Sequence, residues 1–200
     1  ASDVYKRQFP FGFNMVPDAE MKKSVLASIK KYNSGLSENR TQLITNALNA
    51  VGEFYYSESK GGQSANAGVN AYQNGLYNKS GPAMSDSFVL GRLYNLPGMK
   101  REYGQTGQDL FNNGNFDHRT KRTGDILVKE DGKMAIYIGH LDKIDKYIDG
   151  TSTNTTPSKW KEEGEGNYII ECSEEYGGSV LRRITDSDLK MYRVLKIANY

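Results

Sequence analysis

Apolar residues recur at helical spacing twice near the start of this chain, and later give way to short strand-like runs. Pro17-Asp18 opens the first helical stretch, with Met21, Val25, Leu26 and Ile29 at i, i+4, i+5, i+8 positions. Asn33-Ser34-Gly35 stops it. Ser37 is placed to cap a second helix that carries Leu43, Ile44, Ala47, Leu48 and Val51 on one face and ends at Gly52. A third helix is predicted over 85–94, with Phe88, Val89 and Leu93 inward and Pro97-Gly98 ending it. From residue 125 the pattern changes. Strands are predicted over 125–129, 134–139, 168–172, 180–184 and 191–197. The first two flank Lys129-Glu130-Asp131-Gly132-Lys133, a hairpin turn. Helices followed by strands argue an α+β fold, a helical N-terminal half packed on an antiparallel sheet.

The connections are uneven. Residues 9–16 read as an extended lead-in, and 104–121 as a loop with one turn at 108–112. Residues 57–82 are rich in Gly, Asn, Ser and Gln, as is expected of a long ordered loop or insertion. The polar run over 149–166 has surface-loop composition. Two segments follow: 1–36 as an N-terminal extension and helix, 37–200 as the main domain. The opening Ser2-Asp3-Val4-Tyr5-Lys6-Arg7-Gln8 resembles translated sequencing-adaptor read-through, so the first residues are expected not to be native.

Composition narrows the function classes. The net charge is +2, and the basic doublets Lys6-Arg7, Lys22-Lys23, Lys30-Lys31 and Arg182-Arg183 form no tract that would track phosphates, which argues against a nucleic-acid partner. One cysteine, Cys172, excludes an internal disulfide framework. No apolar run is long enough to span a membrane. Two histidines and one cysteine make no metal-ligand set, and Gly61-Gly62 lacks the spacing of a phosphate loop, so neither metal nor cofactor is expected. Fourteen tyrosines fit either ordinary half-buried rings or a surface that grips a polar polymer.

Four segments in order carry a family resemblance. Ala47-Leu48-Asn49-Ala50-Val51-Gly52-Glu53-Phe54-Tyr55 is similar to a helix ending in Gly-x-x-Tyr. Met84-Ser85-Asp86-Ser87-Phe88-Val89 stands where a catalytic helix would start. Gly124-Asp125-Ile126-Leu127-Val128 and Lys133-Met134-Ala135-Ile136-Tyr137-Ile138-Gly139 match a strand pair, and Tyr168-Ile169-Ile170-Glu171-Cys172 a last strand. Together, over roughly residue 37 to the C-terminus, they resemble the papain-like peptidoglycan peptidases of the NlpC type, related to the CHAP amidases. The resemblance implies a bacterial or phage cell-wall peptidase or amidase acting through an acyl-enzyme, with peptidoglycan stem peptide as partner and a secreted, wall-directed or virion-associated location. No signal peptide is visible in the chain. It places Ser85 at the nucleophile position, Lys133 at the base position, Glu171 at the orienting position and Tyr55 on the oxyanion wall.

The chemistry explains why those positions matter. A thiol at a helix N-terminus has its thiolate stabilised there. A histidine on a facing strand takes its proton, and a third polar group orients that histidine. This chain departs from the pattern with Ser85 for the cysteine, Lys133 for the histidine and Asp86 for the serine that follows the nucleophile. Three readings stay open: a Cys→Ser replacement that silences the enzyme, a degenerate domain that binds or builds without cutting, and a Ser–Lys dyad in which Lys133 acts as base. A catalytically dead wall-binding or structural module, of a phage tail or conjugation machine, is the alternative to a hydrolase. Cys172 is expected to be a buried structural thiol facing away from Glu171. His140 is expected at the surface, and His118 is free to sit anywhere.

Overall fold

The computed structural model describes residues 19–51, 54–58, 72–73, 76–77, 83–85, 96, 106–141, 165–175, 178–198 and 200. The predicted helix beyond residue 85, the lead-in at 9–16, the first eight residues and most of the 57–82 and 149–166 stretches lie outside them.

Helix α1 (Ala19–Tyr32) and helix α2 (Glu38–Ala50) form as the spacing predicts. The Ser37 hydroxyl caps α2 by accepting from the Arg40 N–H, which satisfies one of the four free donors of its first turn. The α2 stripe Leu43, Ile44, Ala47 and Leu48 is buried, as are Val25 and Ile29 of α1. Burying each large aliphatic chain contributes roughly 1.5–3 kcal/mol.

The remaining elements build one eight-stranded sheet. In chain order its strands are β1 (Tyr55–Tyr56), β4 (Ala83–Met84), β5 (Phe116–Asp117), β6 (Ile126–Val128), β7 (Met134–Leu141), β8 (Gly166–Ser173), β9 (Gly178–Arg183) and β10 (Arg193–Leu195). A separate two-stranded pair joins β2 (Tyr72–Gln73) to β3 (Leu76–Tyr77). Short helices α3 (Gly107–Asn113) and α4 (Asp186–Lys190) complete the set. Spatial order in the large sheet is β4-β1-β9-β8-β7-β6-β10-β5. Every pairing is antiparallel except β1 with β4. The fold class is α+β.

The centre of the sheet is covered on both faces. Ile126, Val128, Met134, Ile136, Ile138, Tyr168, Ile170 and Cys172 share one core with α1 and α2. Leu127, Ala135, Tyr137 and Ile169 pack on the other side with Leu189, Tyr192 and Val194. Burial on both faces is why β6 and β7 read as continuous apolar runs instead of alternating ones.

Several local expectations need correction. Tyr55 does not end a helix: α2 stops at Ala50, and Tyr55 lies in an edge-side strand paired with Ala83 and Gly178. The stretch 104–121 holds a full helix with a Thr106–Asp109 capping box, then strand β5. The last predicted strand contracts to Arg193–Leu195 because Thr185 caps α4 just before it.

Candidate functional site

The hairpin that carries Lys133 is closed by backbone. The Lys129 N–H donates to the Lys133 carbonyl (3.1 Å) and the Gly132 N–H to the Lys129 carbonyl (2.8 Å), with Gly132 at φ +83° where an L side chain is strained. The Lys133 N–H donates to Asp131 Oδ1 at 3.0 Å, and its ammonium lies 3.9 Å from Asp131 Oδ2. The Lys133 side chain is 38% exposed. It is an ion-paired turn residue.

Sheet register aligns the other positions with it. Ser173 stands opposite Gly178, Gly178 opposite Tyr55, and Tyr55 opposite Ala83. Carrying the Ile136–Ile170 register back along β7 sets Lys133 level with Ser173. One transverse row at one end of the sheet therefore contains Lys133 and Tyr55, and Ser85 follows two residues past Ala83. Strands sit about 4.8 Å apart, so the row runs about 14 Å from Lys133 to Tyr55 and about 19 Å from Lys133 to Ala83. Ser85 is buried, and Tyr55 is half-buried.

Glu171 is buried on β8, and its Oε1 accepts from Arg182 Nε at 2.6 Å. Strand alternation puts its side chain on the face away from α1 and α2, while Cys172 enters the helix-side core as a free, buried thiol. His140 pairs with Glu165 (Nε2 to Oε1 2.9 Å) and meets the Tyr32 ring edge-on at 5.0 Å, whereas His118 is exposed. The structure thus collects Tyr55, Ser85 and Lys133 at one end of the sheet, but gives Lys133 to Asp131 and Glu171 to Arg182.

The sequence places Asp125 as the first residue of a predicted strand, 125–129. In the fold it is the hub of the most concentrated charge cluster among the described residues. Its carboxylate, 1% exposed, takes Arg40 Nη1 (2.8 Å), Arg119 Nη1 and Nη2 (2.8 and 2.9 Å) and the Arg122 N–H (2.6 Å). Burial pushes the Asp125 carboxyl up, but the bonds from Arg119, the Arg122 N–H and Arg40 outweigh it and hold it below its usual range. Arg40 also donates to the Thr123 carbonyl and stacks over the Tyr200 ring, and the Tyr200 hydroxyl donates to the Gly124 carbonyl. The local spacing of Asp117, Arg119 and Asp125 was a signal available in the sequence. Arg40, 85 positions away from Asp125, was not.

Among the described residues no group of three or more His, Cys, Asp or Glu side chains could hold a metal, and no helix is long and apolar enough to cross a membrane. No family model matches the chain, and no curated protein matches it. Among solved structures, it is similar to the peptidoglycan hydrolase RipB from Mycobacterium tuberculosis, at 13% identity over 91% of this chain and 85% of that one, with a TM-score of 0.46.

Proposed function

We propose that this chain is a degenerate cell-wall peptidase domain of the papain-like NlpC type, which holds peptidoglycan stem peptide without cutting it. The ordered set of sequence segments supports the family. Ser85, Lys133, Glu171 and Tyr55 mark the ancestral site. A wall-directed place of action, extracellular or virion-associated, follows from the same reading.

The observation that carries the non-cutting half is the separate pairing of Lys133 and Glu171. A serine hydroxyl needs a base within hydrogen-bond reach. A lysine base needs a dry, apolar surround; Lys133 has solvent and the Asp131 carboxylate instead. An orienting carboxylate must face its base, and Glu171 faces Arg182. A hydrolase silenced by one Cys→Ser change would leave Lys133 unaccounted for.

Purified peptidoglycan separates the readings. Co-sedimentation without loss of turbidity is expected for the chain as given and for Ser85→Cys. Clearing by the chain itself would show an active Ser enzyme. Clearing by Ser85→Cys alone would show a silenced enzyme in place of a degenerate one.

A further inference from the structure

A cleft of about 760 Å³ opens where the α1–α2 connection, residues 121–123 and the far end of β7 meet. It lies about 20 Å along β7 from Lys133 at strand rise, so it is not part of the row described above. Its size falls in the range of small-ligand sites.

The charge of its lining is one-sided. Among the described residues that line it, Arg40, Lys121, Arg122 and His140 contribute charge, and no Asp or Glu does. Acidic groups nearby are engaged: Asp125 lies buried behind Arg40 and Arg119, Glu165 pairs with His140, and Asp186 accepts from Asn167 Nδ2 at 3.4 Å. Arg40 is likewise committed to Asp125. Lys121 and Arg122 are different: among the described residues neither side chain makes a hydrogen bond or ion pair. Lys121 is partly withdrawn from water, and burial pushes its ammonium below the usual lysine range by more than the Asp125 carboxylate raises it.

The floor is fixed before any ligand arrives. β7 breaks register between Tyr137 and Gly139, and Gly139 takes φ +90°. Thr123 Oγ1 lies 2.8 Å from Asn33 Oδ1 and 3.0 Å from the Ile138 carbonyl, tying loop to bulge. Tyr32, Tyr137 and Tyr200 supply ring surface, and the Tyr137 hydroxyl donates to Asn167 Oδ1 at 3.0 Å. Aromatic faces beside hydroxyl and amide groups suit a polyhydroxy ring.

We propose that this cleft binds a hydroxylated oxyanion, a sugar acid or sugar phosphate, with the acidic group against Lys121 and Arg122. The proposal is independent of whether the domain derives from a peptidase. Amide NMR titration of the whole chain with D-glucuronate, glucose 6-phosphate and neutral glucose tests it. Saturable shifts at Gly35 and Gly139 are expected with at least one anion and not with glucose. The stronger of the two identifies the source of the negative group. Lys121→Gln/Arg122→Gln, both at the cleft wall and outside the core, should weaken binding about tenfold or more, in line with the loss of charge-assisted bonds. Lys121→Gln alone serves if the double variant does not fold. No saturable shift with either anion, equal shifts with glucose, or unchanged affinity in a folded variant would overturn the proposal.

Discussion

The two ends of the central sheet organise charge in opposite ways. At the end holding Lys133 and Tyr55, charges are parted into couples that each serve one turn or one strand pair: Lys133 with Asp131, Glu171 with Arg182. At the other end, Asp125 draws Arg40 from α2, Arg119 from the loop before β6 and the Arg122 N–H into one buried cluster. Catalysis needs convergence, and the end where family resemblance seeks it shows dispersal. The convergent end joins helix to sheet and lies beside the cationic cleft. Resemblance in sequence order therefore marks positions without establishing a chemistry at them.

Substitutions sharpen this contrast, and the largest effect belongs to the convergent end. Asp125→Ala leaves Arg40 and Arg119 without their shared carboxylate and should cost about 3–5 kcal/mol, read as a lower urea midpoint at pH 7. The sign with pH follows. A carboxyl held low in the folded state stabilises above its unfolded pKa of about 4, and that contribution is lost as pH falls through the depressed folded value. Acid unfolding profiles should therefore be flatter in Asp125→Asn than in the unaltered chain. An unchanged profile would show that the cluster contributes little.

Glu171→Ala should follow, at about 3 kcal/mol, because Arg182, only 14% exposed, loses the carboxylate to which its Nε donates. Thermal unfolding checks it. A near-neutral result would return Glu171 to the list of free site groups.

Gly139→Ala adds a Cβ 2.5 Å from Thr123 Oγ1 at a left-handed φ, so about 1–3 kcal/mol is expected. It should also disturb the Thr123–Asn33 link, seen as shifted amide resonances across the cleft floor. The smallest effect belongs to Lys133→Ala, below about 0.5 kcal/mol by denaturant titration, because an exposed ion pair in a turn is worth little. A large loss would mean that Lys133 does more than the turn requires.

Much of the fold was legible in the chain. Helical spacing gave α1 and α2 with their buried faces, and the Ser37 cap was readable because N-capping is local. The 129–133 turn announced itself through Asp131-Gly132. Short elements were not legible. β1 and β4 are two residues each and owe their state to pairing with partners far along the chain. Helix α3 was legible only as a single turn at 108–112, because its seven residues expose most of their surface and few apolar positions mark it. The site was readable as positions and not as contacts. Asp131 is a turn neighbour of Lys133, but nothing around Glu171 in sequence says that Arg182, on the next strand, takes it. Nothing local sets Lys121-Arg122 apart in the sequence, since the cleft around it is assembled from segments up to 168 positions apart, Tyr32 to Tyr200.

The central claim is that the groups a hydrolase would use do not converge. Ser85→Cys/Lys133→His, which restores both family residues, tests it most directly when incubated with purified peptidoglycan and assayed for soluble peptide release. The account predicts release no greater than in buffer, with co-sedimentation retained. Catalytic release by that double variant would contradict it.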